Sequence, residues 1–218
     1  VYTLTSFSDN NGSGATSGSA TVTVNPNPVV TVADASTCAG GSATISAGVT
    51  SGTAPFSYAW TVPGGATNPG DVSSFSATVA GNYAVIVTDV HGCLGSDNGD
   101  LTIHPNPVVT VADASTCAGG SATISAGVTS GTAPFSYAWT GPGGATNPGD
   151  VSSFSATVAG NYSVIVTDVH GCTGSDNGDL TVNPNPVVTV ADASTCAGGS
   201  ATISAGVTSG TAPFSYAW

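Results

Sequence analysis

The chain of 218 residues contains no Lys, Arg, Glu, Gln or Met, and its twelve acids are all Asp, for a net charge of −12. Nothing in it can neutralise phosphate, which excludes nucleic-acid binding, phosphate clamps, Schiff-base chemistry and attraction to anionic membranes. No run approaches the roughly 18 apolar residues of a membrane helix, and residues 1–25 lack the basic start and apolar stretch of a signal peptide. A hydrophobic content of 40%, with Gly 30 and Pro 13 short of a disordered bias, reads as folded extracellular material.

An internal repeat governs the organisation. The segment PNPVVTVADASTCAGGSATISAGVTSGTAPFSYAW opens at Pro26 and recurs at Pro105 and Pro184, a period of 79 residues. Units 26–104 and 105–183 differ at only five positions: Val62/Gly141, Ala84/Ser163, Leu94/Thr173, Ile103/Val182 and His104/Asn183. Residues 1–25 match the end of a unit, with Val22 and Val24 where Leu101 and Ile103 fall. Residues 184–218 match a unit's beginning. The chain reads as an excerpt of a longer array.

Within a unit the period is two. Val30 and Val32 alternate with Thr31, and Ala43, Ile45, Ala47 and Val49 with Thr44, Ser46 and Gly48. Phe56, Tyr58 and Trp60 share a face; Phe75, Ala77 and Val79, then Tyr83, Val85 and Val87, then Leu101 and Ile103 follow. Gly, Pro and Asn clusters separate these runs, which predicts an antiparallel two-sheet sandwich. In sandwich lettering the expected strands are A at 29–33, B at 42–49, C at 56–61, E at 72–79, F at 82–89 and G at 99–104, with room for a short strand within 62–71. Residues 1–25 supply F and G of one repeat, and residues 184–218 supply A to C of another.

So small a unit must anchor its core on aromatics: Trp60 and Tyr83, and their counterparts Trp139 and Tyr162. Phe56 and Tyr58 on an edge strand would instead form a platform for a glycan or another surface ligand.

The segments TCAGGSATISA, FSYAWTGPGG and AGNYSVIVTDVHGC resemble the tandem Ig-like or PKD-like repeats of Bacteroidetes cell-surface proteins, including gliding-motility adhesins exported by the type IX route. The resemblance runs through the whole chain, on Cys38, Trp60, Gly81, Tyr83, Asp89, Gly92, Cys93 and their period-79 counterparts. It implies an all-β fold of Ig-like antiparallel sandwiches in a head-to-tail array, surface display, and a stalk or adhesive role without catalytic residues. One departure is Ser13, which stands where Cys93 and Cys172 stand.

Each complete unit has one Cys before strand B (Cys38, Cys117) and one in the F–G turn (Cys93, Cys172), and Cys196 is left over. In an exported chain these form disulfides. In a seven-strand sandwich the start of B and the end of F lie at opposite poles, beyond the ~7 Å Cα reach of a disulfide. That favours an interdomain bridge, Cys38–Cys172. Should no strand exist within 62–71, the F–G turn would move to the pole of Cys38, and Cys38–Cys93 with Cys117–Cys172 would be the alternative. The VNPNP and IHPNP junctions are stiff in their own right, because Pro fixes φ.

The carboxylates of TDVHGC and SDNGD suggest calcium at Asp89, Asp97 and Asp100, and again at Asp168, Asp176 and Asp179. The competing reading makes Asn98-Gly99 a plain hairpin turn. Asp89, His91 and Cys93 form a poor zinc tetrahedron. A Ser-His-Asp relay is disfavoured because each candidate recurs unchanged in every unit. The sequons at Asn11 and Asn161 are not shared between units. The reading that results is a non-enzymatic extracellular repeat protein forming the shaft of a surface adhesin or filament. Its partners are neighbouring repeats and other copies in a fibre. Two alternatives stand beside it: glycan-binding adhesin modules, and a fibre subunit completed by strand exchange between chains.

Overall fold

Strands supply the regular structure, as the period-two alternation requires: Val30 and Val32 are buried and Thr31 between them is exposed. The computed structural model describes residues 1–218 and divides them into two units, Val1–Ile103 and His104–Trp218.

In the first unit, residues 1–20 form a thin ladder. Strands β1 (Tyr2–Thr3) and β4 (Ser19–Ala20) pair, as do β2 (Phe7–Asp9) and β3 (Gly12–Gly14), and all are exposed. The sandwich proper has β5 (Val30–Val32), β6 (Ala35–Cys38), β7 (Ala43–Val49), β8 (Ser57–Thr61), β9 (Ser74–Ala77), β10 (Gly81–Thr88) and β11 (Leu94–His104). One sheet has the order β5-β7-β9 and the other β6-β11-β10-β8. Ile45 and Val87 at the centre are fully buried; Trp60, Tyr83, Val85 and Leu101 close around them. Trp60 packs edge-on against Phe75 at 5.0 Å and donates its indole N–H to the Val72 carbonyl. The Tyr83 hydroxyl donates back to the Val79 carbonyl at 2.7 Å, the tyrosine corner of Ig-like sandwiches.

The second unit repeats this with β12 (Val109–Val111), β13 (Ala114–Cys117), β14 (Ala122–Val128), β15 (Ser136–Thr140), β16 (Ser153–Ala156), β17 (Gly160–Thr167) and β18 (Thr173–Asn183). Trp139 and Tyr162 are buried as their counterparts are. Beyond Pro184 only β19 (Val188–Val190) and β20 (Ala205–Val207) pair. Val188 and Val190 there are 54% and 57% exposed.

Three expectations need correction. Strand A is two strands: β5 pairs antiparallel with β7, and after Ala33-Asp34 the chain joins the other sheet as β6 beside β11. Strand G begins at Leu94, not at residue 99, so Asn98-Gly99 lies inside β11, with Asn98 opposite Ala84 and Gly99 opposite Tyr83. The hairpin turn is Asp89–Cys93 instead, where the Gly92 N–H bonds the Asp89 carbonyl and Gly92 takes φ +80°. That is the three-residue loop closed by a glycine bulge. Glycine recurs in β11 for another reason. A Cβ on Gly95 would fall on the Pro28 carbonyl oxygen, and one on Gly99 would come within 2.8 Å of the Ala33 carbonyl oxygen. The backbone of the split A strand thus crosses β11 where β11 has no side chains.

No strand forms within 62–71, yet the F–G turn does not move to the pole of Cys38. Residues 68–72 climb back along the edge of β8 without a regular ladder: Asn68 Nδ2 donates to the Trp60 carbonyl, and Asp71 accepts the Tyr58 N–H. Both β8 and β9 therefore run opposite to their partners β10 and β7, and Cys38 and Cys93 stay at opposite ends.

Candidate functional site: the poles that carry cysteine

The F–G turn is organised by one carboxylate. Asp89 is 5% exposed; its Oδ1 accepts the N–H groups of His91 and Cys93, each at 2.9 Å, and its Oδ2 accepts that of Thr53 at 3.1 Å. The Val90 N–H returns to the Thr53 carbonyl, so the turn is tied to the B–C loop. Asp168 repeats the arrangement with Thr132, His170 and Cys172. Burial alone would push the Asp89 carboxyl up. The N–H donors of Cys93, Thr53 and His91, with the His91 imidazole nearby, outweigh it and hold the group below the ordinary carboxylate range. Asp168 is lowered for the same reasons. A depressed folded value gives stability that is complete above the unfolded carboxylate range near ~4 and is lost as pH falls through the folded value. The melting temperature should therefore fall as pH is lowered from about 4. Asp89→Asn in one unit should flatten that unit's acid dependence, measured by calorimetry; a slope equal to wild type would contradict the role.

Cys38 and Cys172 are disulfide-bonded, whereas Cys93, Cys117 and Cys196 carry free thiols. The alternative pairs Cys38–Cys93 and Cys117–Cys172 are accordingly absent, since each would need a cysteine that is free. The physical reason is the opposite placement of the two cysteines in a repeat. Cys93 is half-buried, and its thiol points to the Asn25 carbonyl at 3.9 Å, just before Pro26. Burial, the Asp89 charge and a hydrogen bond to Asp89 push that thiol up. Residue 104, the counterpart of Asn25, belongs to the second unit: the His104 ring stacks on His170, centroids 3.5 Å apart and planes within 9°. The residues before the first two PNP segments, Asn25 and His104, thus lie against the F–G turns that follow them in sequence.

The carboxylates proposed for calcium are not brought together. Asp97 reaches out of β11 to accept the Val32 N–H at 2.7 Å. Asp100 donates its backbone N–H to Asp34 and accepts from Asn82 Nδ2. Asp176 and Asp179 do the same with Val111, Asp113 and Asn161. No three His, Cys or Asp side chains gather as metal ligands, and the residues do not fit the ion. These carboxylates stitch the split A strand to β11 instead. Sequence reasoning missed that role, although the inward phase of Gly95, Asp97 and Gly99 on a two-residue period signals it.

The other candidates are placed as follows. Phe56 and Tyr58 are half-buried and pack against the core although β8 is an edge strand, so no free aromatic platform stands there. The Asp89 carboxylate binds the backbone of His91 and not its imidazole. Asn161, in the second sequon, is exposed with its amide on Asn177 and Asp179. No helix is long and apolar enough to cross a membrane.

No protein-family model matches the chain, and no curated protein sequence matches it. Solved structures are similar at the level of fold. A three-Ig titin fragment carrying an E-to-A mutation is 16% identical, covering 76% of this chain and 68% of its own, with a TM-score of 0.46. An I-band fragment of titin is 14% identical, over 85% of this chain and 77% of its own, TM-score 0.46. Immunoglobulin domains 1–4 of Sidekick-1 are 13% identical, over 72% of this chain and 48% of theirs, TM-score 0.41. Two sheets with a shared strand order, a buried Trp on strand C and a tyrosine corner in each repeat make the chain an all-β tandem of Ig-like sandwiches.

Proposed function

We propose that the chain is a structural extracellular repeat protein, a stretch of the shaft of a surface adhesin or filament like the Bacteroidetes repeats it resembles. Cys38 and Cys172 bond to each other as a staple between successive repeats. The observation that carries this reading is the pattern of half-cystines: one A–B cysteine and one F–G cysteine of different repeats are oxidised, while Cys93 and Cys117 are free. The near-identical core in both repeats supports it, because a spacing element gains from copies where a binding site needs only one. Oxidised cysteines fit an extracellular setting.

Pulling the chain from its ends tests the staple. Force would pass through the bond and shelter the intervening segment of roughly 130 residues, so reductant should release about 450 Å of hidden length. A released length near 200 Å, the span of an intra-repeat bond of roughly 55 residues, would overturn the assignment. Equal extension with and without reductant would do so as well.

A further inference from the structure

The linker that enters the second repeat carries a contact that its counterpart lacks. His104 ends β11, and its half-buried ring stacks on the exposed ring of His170, centroids 3.5 Å apart and planes within 9°. His170 is held in the F–G turn, where its N–H donates to Asp168 Oδ1 at 2.9 Å. In the preceding repeat Asp89 holds His91 in the same way, but the residue before the PNP is Asn25. Two imidazoles therefore meet at one linker and not at the other.

The rest of this linker is fixed by groups that do not titrate. The Ser130 hydroxyl donates to the Asn106 carbonyl and accepts the Val108 N–H at 3.1 Å, and Pro107 is buried. The charge that faces the stack is Asp168, whose ionised form is favoured by the nearby His170 imidazole. Cys172 in the same turn is oxidised. Linker residues 105–108 and B–C loop residues 129–135 hold no titratable side chain, and β6 beside β11 holds only Cys38, also oxidised. One proton on the pair is tolerated, because an imidazolium can lie on a neutral ring with Asp168 as counter-charge. A second sets two cations 3.5 Å apart against one carboxylate, and their repulsion drives the rings apart. Both steps belong to the pair and not to either ring.

We propose that the His104–His170 stack is an acid-released clasp on the linker between the two complete repeats. The clasp is closed above the range in which a free imidazole takes up its proton, near ~6.5, and opens as pH falls below it. Opening frees the His104 ring from the F–G turn and leaves Asn106 and Val108 on Ser130, so the new freedom is confined to His104 and Pro105. The chain gains a joint there without unfolding either repeat. The window lies above the carboxylate range near ~4, which separates it from the acid destabilisation that Asp89 and Asp168 bring. The linker that begins with Asn25 has no such response.

The test is an NMR pH titration of the whole 218-residue chain between about pH 8 and pH 5, a span that brackets the imidazole range. Single His→Asn variants at 91, 104 and 170 assign the three ring signals. His104→Asn installs the residue already present at Asn25 and Asn183, and calorimetry at neutral pH checks that it folds as wild type does. A nuclear Overhauser contact between the two rings is expected at the alkaline end and should be lost at the acid end. Over the same span the Asn106 amide signal should move and fast motion of the His104 amide should rise, while Asn27, the counterpart of Asn106, stays still. His104→Asn and His170→Asn should each remove the Asn106 response. A ring contact that persists at the acid end, one that is missing at the alkaline end, or an Asn106 response that survives His104→Asn would each overturn the proposal.

Discussion

Trp60→Ala should cost the first repeat about 3–5 kcal/mol and split thermal unfolding into two transitions, the earlier one belonging to residues 26–104. The indole is 5% exposed, meets Phe75 edge-on and holds the Val72 carbonyl. Its removal opens a cavity beside Ile45 and also releases the stretch that covers the edge of β8. The second repeat is an internal control, because Trp139 sits in a matching core. Trp139→Ala should move the other transition by a similar amount. Calorimetry of both variants checks this, and a single transition at the wild-type temperature in either would refute the anchor role.

Gly95→Ala is the second large effect, and it acts through space and not through lost contacts. The added methyl would occupy the position of the Pro28 carbonyl oxygen, a backbone atom with no rotamer to yield. Either β5 detaches from β7 or β11 bends away. Overpacking of this kind costs about 1–3 kcal/mol. Gly92→Ala meets no neighbouring atom but must adopt φ +80°, so it separates conformational cost from steric cost. Urea midpoints of the two variants decide. Gly95→Ala as stable as wild type would show that β5 does not pass so close to β11.

The alternation of Val, Ile and Thr with its Gly-rich breaks made the sandwich legible, and the placement of Trp60 and Tyr83 followed from the phase of their strands. The strand ends were less so. Asn98-Gly99 is a strong turn dipeptide, and local propensity alone puts a hairpin there. What overrides it is tertiary: the crossing A strand needs a β11 without side chains at 95 and 99, and Asp89 stabilises a different turn nearby. The carboxylates misled for a related reason. Asp97 and Asp100 look like ion ligands when read along the chain, but their partners, Val32, Asp34 and Asn82, are fixed only once the sheets close. The cysteines depended on which pole each turn occupies. That in turn depended on residues 68–72 returning along β8 without forming a strand.

The aspartates of the F–G turns and of β11 accept from neutral N–H groups, in a molecule with no lysine or arginine. Dissolved ions screen charges over roughly 10 Å at 0.1 M. They weaken the mutual repulsion of the twelve aspartates, and the three histidines are the only basic side chains whose attraction they could weaken. Added salt should therefore firm this chain where it would loosen a protein built on salt bridges.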